Sequence, residues 1–475
     1  MKLTPKYLDG ALLAVNALAR GRAVLDAPRC EQERAWIFDR THDWWTGLSG
    51  TGPYARDRRV FAPLWKTRTL VQGTERTLAD LLEFVARRHP REPLFAFPGF
   101  LSLLANTDVE GLLADLRRTL PNRLVFVGRD SLDEDWVDGI RRTQAAVFRE
   151  FREPRRGGRA PVVGGFLPFR READETGNLE ELLRLWRLAG FPRPAAWPFS
   201  AGLLPDAPIP RAAPLVAFPI GFDGPRFEWE GGVIEVELPI GIAATCSMLR
   251  TLARAFGCAR RTAAVIRDEL RVLADRVRPL CEKTLAGAGV AVLGDPWTAD
   301  GLCRALAELG VETSLVGVLR RGNATDPVLA RLDRPGRSVL LDPQRADFER
   351  ELRRLARSGA CEAVVGSAVV VDVARQAGLA TVEISAPHYL EHFAVPAPYM
   401  GFAGLARLAE RLANAVAHRR HRAEHAPRRA RRGVRDSIAR SPATMHSGVP
   451  RTPSSASSRR TTPRSSSPRT RRRIG

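Results

Sequence analysis

Short apolar runs alternate with longer amphipathic stretches over most of the chain, the pattern of α/β units built on parallel sheets. In the first part, Pro93-Leu-Phe-Ala-Phe and Arg123-Leu-Val-Phe-Val-Gly read as strands. Leu78, Leu81, Leu82 and Val85 recur at helical spacing and predict a helix over 77–88. A Pro/Gly/Arg cluster at 153–161 marks a boundary. Beyond it, strand Pro161–Phe166 is followed by a helix over 178–189, closed by Gly190 and Pro192. A Pro-rich passage then carries strand Pro214–Phe218, and helices are expected over 243–256 and 261–286.

The third part has the clearest pattern. Strands are predicted at Val290–Leu293, Glu312–Val318, Ser338–Asp342, Glu362–Gly366 and Ala380–Ile384. Helices at 298–309, 344–357, 369–377 and 404–417 alternate with them or follow. This order implies a doubly wound sheet with a ligand crevice outside the carboxyl ends of its strands. The loops there are Gly294-Asp-Pro, Gly366-Ser and Ser385-Ala-Pro-His. No GxGxxG precedes a helix and no GxxxxGK[ST] occurs, so no bound nucleotide is expected.

Length adds that 475 residues suit about three domains at ~150 residues each. The expected division is 1–155, 156–287 and 288–417, each a Rossmann-like α/β layer, with a separate tail at 418–475. No run of about eighteen apolar residues appears, and the N-terminus has no signal-type apolar segment. Six cysteines (30, 246, 258, 281, 303 and 361) are too scattered for a disulfide scaffold. A cytoplasmic protein without membrane contact is expected.

The net charge of +21 changes little about the body. Residues 419–475 hold 17 arginines and two acids, so +15 of that charge sits in the tail. The tail is rich in Ser, Pro and Arg and lacks apolar periodicity, which predicts disorder. It is either a polybasic arm or an extension without function. No aromatic residue follows Phe402, so bases would find no stacking platform. Nucleic acid is expected as a partner through the tail or not at all.

The order of pieces resembles the nitrogenase component 1 superfamily. Pro239-Ile-Gly-Ile-Ala-Ala-Thr with Leu249 and Leu252-Ala is similar to its P-I-G segment. Gly289-Val-Ala-Val-Leu-Gly-Asp-Pro resembles its strand ending in G-D-P. Val364-Val-Gly-Ser resembles a later strand, and Pro396-Ala-Pro-Tyr-Met-Gly-Phe-Ala-Gly-Leu its closing helix start. Upstream, Thr69–Leu78 is similar to a short turn before a first-domain helix. The resemblance spans about residues 7–417 and is stronger in the C-terminal half.

The superfamily holds nitrogenase subunits, a cofactor-assembly scaffold, protochlorophyllide and chlorophyllide reductases, and a cyclase of nickel-tetrapyrrole synthesis. Membership implies pairing with a homologous subunit and a 4Fe–4S cluster shared at the interface. It also implies electrons from an ATP-dependent iron protein, and a small-molecule or metallocofactor ligand. Iron–sulfur clusters take soft thiolate ligands. Of three family thiol positions, the first corresponds to Lys6 or Tyr7, before Gly10-Ala. The second corresponds to Cys30 in Ala27-Pro-Arg-Cys, and the third, near Phe97-Pro-Gly-Phe, has no cysteine. The resemblance therefore assigns Cys30 as the single metal ligand, as in a β-type subunit.

Other candidates carry less chemistry. In Arg40-Thr-His42-Asp43-Trp44-Trp45, His42 and Asp43 can form an acid–base pair beside a wall for an aromatic ligand. Packing of the tryptophans against the core explains the stretch equally. Glu75 is a candidate acid in the Gly73-Thr-Glu turn; supporting the following helix is its plainer role. Cys246 and His388 are candidates to hold a cofactor, His388 because a family histidine near this point does so. His392 lies four residues beyond it, with Pro387 and Pro396 limiting any helix between.

These readings lead to a subunit of a nitrogenase-like reductive two-component system. A non-catalytic scaffold for metallocofactor assembly is the alternative. A cluster-less paralogue acting as a small-molecule binding module is another.

Overall fold

The computed structural model describes residues 2–28, 31, 59–63, 65, 67–153, 158–204, 206–221, 229–321, 327–388 and 390–425. Cys30, His42, Asp43 and the tail from 426 lie outside them. Contacts divide the chain into Met1–Ala423 and Glu424–Gly475. In the second unit the described residues are the closing turn of the last helix.

Four parallel sheets carry the fold. In the first, β1 (Arg22–Asp26), β2 (Val60–Phe61), β3 (Leu94–Pro98) and β4 (Leu124–Phe126) lie in the order β2-β1-β3-β4. Then come β5 (Arg152–Glu153), β6 (Val162–Gly164), β7 (Ile209–Pro210), β8 (Leu215–Ala217) and β9 (Val233–Glu235). β5 pairs with β7, and β6-β8-β9 form a separate three-stranded sheet. The last sheet orders β10 (Gly289–Gly294), β11 (Glu312–Val318), β12 (Ser338–Leu341), β13 (Ala363–Gly366) and β14 (Ala380–Glu383) as β12-β11-β10-β13-β14. Chain direction across that sheet reverses between β10 and β13, which makes a topological switch point at their carboxyl ends. β1, β3 and β13 are buried along their whole length, and β3 and β13 are the continuous apolar runs expected of strands covered on both faces. The mixed α/β fold with parallel sheets is the expected one.

Several elements escape the sequence pattern, two helices and β1 among them. Every residue of the helix Tyr7–Asn16 is buried, so it carries no polar face to set a period. It crosses the helix Trp136–Glu150, whose buried positions include Thr143 and Gln144. β1 is a three-residue apolar run between two charges, Arg22 and Asp26; Arg22 is neutralised by Glu92 at 2.8 Å.

The last helix, Gly401–His425, passes the expected boundary at 417. Arg419 donates to the Gly378 carbonyl, and Arg420 donates to the Glu362 carboxylate at 2.8 and 3.0 Å. These contacts tie to the fold a turn that composition alone assigns to the tail. The predicted helix over 261–286 is α-helical at Ala259–Leu280 and closes in a wider π turn at Cys281–Leu285. Among the described residues, no helix is long and apolar enough to cross a membrane.

Glycine sets the crossing of the first two helices. A Cβ on Gly10 would meet the Trp136 carbonyl oxygen at 1.7 Å, and one on Gly139 would meet the Tyr7 carbonyl oxygen at 2.1 Å. The neighbours are backbone and cannot step aside. Gly139→Ala is therefore expected to destabilise the chain by at least about 2–3 kcal/mol, read as a lower urea midpoint.

Candidate functional site

The crevice of the last sheet gathers polar residues from three strand ends. Asp295 follows β10, Ser367 follows β13, and Ser385 and His388 follow β14. Facing them, the run Arg170–Glu175 lies between β6 and the helix Glu175–Ala189. Asp295 accepts hydrogen bonds from the amides of Trp297 and Thr298 and caps its helix. Ser385 reaches the same carboxylate at 3.4 Å. It does so from a left-handed backbone (φ 66°), a conformation that costs a non-glycine residue about 1 kcal/mol. Ser367 Oγ donates to the Pro387 carbonyl at 2.9 Å and anchors the loop that carries His388.

Arg170 is the centre of the arrangement. It is fully buried, and its guanidinium grips Asp174 with a fork of hydrogen bonds at 2.8–3.1 Å. It also pairs with Glu172 at 3.2 Å and donates to the Glu391 carbonyl. Burial opposes its charge, and Asp174 with Glu172 more than offsets that cost. His388 is 1% exposed and sits between two carboxylates. Nδ1 lies 3.4 Å from Asp174 and Nε2 lies 3.7 Å from Glu383. Glu383 accepts from the Leu390 amide, and Glu172 accepts from the Phe393 amide. His392, partly exposed, meets the buried Glu172 at 2.9 Å. Two guanidinium groups lie over the Phe393 ring, Arg170 at 5.7 Å and Arg411 at 4.9 Å.

One turn further, Asn178 Oδ1 accepts from the amides of Tyr399 and Met400, and Glu181 accepts from the Ala403 amide. Side chains of the Glu175–Ala189 helix thus satisfy the free amides at the start of the last helix. Tyr399 donates its hydroxyl to Glu175 at 2.9 Å. Burial, and then Asp174, push the Glu175 carboxyl up to about 8, so it is mostly protonated at neutral pH. Burial also raises the Asp295 carboxyl.

Residues 227–417 match the family described as nitrogenase component 1 type oxidoreductase. The solved structure "Nitrogenase Cp1 at pH 6.5" superposes with a TM-score of 0.75 at 15% identity, covering 89% of this chain and 94% of that one. "Nitrogenase Cp1 at pH 5" gives 0.67 at 13% identity, covering 88% of each chain. Over residues 227–417 the chain matches the nitrogenase component 1 family, and its fold along most of its length is that of nitrogenase component 1. No curated protein matches it in sequence.

The structure places the residues that the sequence singled out in separate locations. His388 is in the crevice, and no helix carries it or His392. Cys246 is buried on the helix Ile242–Phe256, near Arg250 and Glu308, and burial raises its thiol pKa. Glu308 ends the 13-residue helix that Asp295 starts, and about 20 Å of rise separates those ends. Cys246 and His388 are therefore not brought together. Glu75 opens the helix Glu75–Arg88 and folds its carboxylate over Gly73, as a first-turn acid should. Beside it Asp26 is fully buried at the end of β1, holding Thr74 and Ser102 at 2.8 and 2.7 Å. Burial raises that carboxyl as well.

Sequence reading missed Arg170, Glu172, Asp174, Glu175 and Glu383. One available signal was the charged run Arg170-Arg-Glu-Ala-Asp-Glu directly after a predicted parallel strand, where exposed charge is not the only possibility.

Glu175 binds its proton more tightly in the folded chain than in the unfolded one. Its contribution is complete below about 4.5 and is lost as pH rises through about 8. Glu175→Gln, which keeps a polar partner for Tyr399, is expected to remove this decline. Urea midpoints at pH 5 and pH 8 should converge in the variant.

Proposed function

We propose that this chain is one subunit of a nitrogenase-like reductive two-component system. It pairs with a homologous, cysteine-richer subunit and receives electrons from an ATP-dependent iron–sulfur protein. A 4Fe–4S cluster is shared at the subunit interface, with Cys30 as the ligand from this side. The observation that carries the reading is the family match over residues 227–417 within a chain whose fold follows nitrogenase component 1 along most of its length.

Thiol chemistry supports Cys30 by what the other cysteines do. Cys303 and Cys361 are buried, and burial pushes both thiols up to about 11. Cys281 is raised by burial too, and Cys258 donates to the Gly190 carbonyl. Thiols held in this way serve as packed or hydrogen-bonded core groups. The described neighbours of Cys30 lie at the carboxyl edge of the first sheet. Pro28 follows β1 closely, and Glu31 accepts from the Phe100 amide just beyond β3. At the first family thiol position, Tyr7 is buried and donates its hydroxyl to the Gly128 carbonyl at 2.7 Å. When bound, the cluster would supply one-electron transfer; this chain would supply a thiolate and the wall around it.

The test is iron and acid-labile sulfide on protein purified without oxygen, alone and with its homologous partner. About four irons per pair, lost in Cys30→Ala, are expected. An iron-free pair would overturn the shared cluster.

A further inference from the structure

Relying on the proposed function for the identity of the partner alone, we infer that the crevice of the last sheet is a closed ionic clamp in this chain. It does not serve as a cofactor site, and any metallocofactor chemistry of the pair falls to the partner subunit. A doubly wound sheet binds its ligands at this place, and the resemblance assigns His388 there as a cofactor-holding residue. The groups present do not fit that task. The described side chains near His388 include two carboxylates, a guanidinium already committed to carboxylates and the Phe393 ring. Soft clusters need thiolates, and the candidate thiol, Cys246, sits near the far end of the helix that Asp295 starts. Among the described residues, no three His, Cys, Asp or Glu side chains are arranged to hold a metal ion.

Closure is a property of backbone as well as side chains. The Ala173 amide donates to the Phe393 carbonyl, and the Ala397 amide donates to the Ala173 carbonyl. The two segments that would have to part to admit a ligand are thus joined by two backbone hydrogen bonds around Arg170. A Cβ on Gly177 would lie 3.2 Å from the Ala397 nitrogen, so the helix and the incoming segment are in close contact. Arg170, Glu172, Asp174, Glu175, Glu383 and His388 are all 0–2% exposed. A cluster seated here would have to displace this network and leave Arg170 or its carboxylates uncompensated, which burial makes costly.

The test is histidine footprinting of the native full-length chain with diethyl pyrocarbonate, read by peptide mass spectrometry. Metal content of wild type, His388→Gln and Cys30→Ala, each purified without oxygen with the homologous partner, runs beside it. His388 is expected to react at least ten-fold more slowly than His392, and His388→Gln to hold the same metal as wild type. Modification of His388 at the rate of His392 would overturn the clamp. So would loss in His388→Gln of metal that Cys30→Ala retains. An iron-free wild-type pair would count against the shared cluster, and the footprint, which needs no variant, would still decide the crevice.

Discussion

The grip of Arg170 on Asp174 and Glu172 is the constraint on which the crevice depends. A buried guanidinium is tolerated when carboxylates surround it, and buried carboxylates are tolerated when a guanidinium answers them. Neither side could be placed alone. Once the pair is set, the segment that carries it must meet the loop after β14. Arg170 binds the Glu391 carbonyl, Glu172 binds the Phe393 amide, and Asp174 faces His388. The course of residues 390–399 follows from these contacts.

The surplus of acid explains the protonation of the site. Glu172, Asp174, Glu175, Asp295 and Glu383 converge on few cations, so some must take up protons. Glu175 is the one the geometry selects. It is enclosed, it lies beside Asp174, and its partner is the neutral Tyr399 hydroxyl. Asp174 beside it is held by a fork of hydrogen bonds from Arg170. Burial and partner, not residue type, single out Glu175. Such a network resists disturbance and offers no loosely held group to a reactant.

Much of the fold was legible because parallel strands covered on both faces show as unbroken apolar runs. Val290–Leu293 and Glu312–Val318 announce themselves, and the Gly and Pro residues between them mark the turns. The helix Tyr7–Asn16 was not legible, because burial on every side erases the period that identifies a helix. The site was half legible. Parallel-sheet topology points to the loops holding Asp295, Ser367 and Ser385–His388 before any coordinates exist. It does not say that Arg170 and Glu172 reach them from the neighbouring sheet. A charged run looks the same in sequence whether water or another segment covers it, and contacts across more than 200 residues leave no local mark.

Arg170 also narrows how this sequence can change over time. It serves Asp174, Glu172 and the Glu391 carbonyl at once, so losing it strands three acceptors in one step. Losing either carboxylate leaves part of a buried cation unanswered. Substitutions here are coupled rather than additive, and a lineage crosses from this arrangement to an apolar or metal-binding crevice only by changing several positions together. Positions 170, 172, 174, 383 and 388 are thus coupled, and a change at one alters what is tolerated at the others.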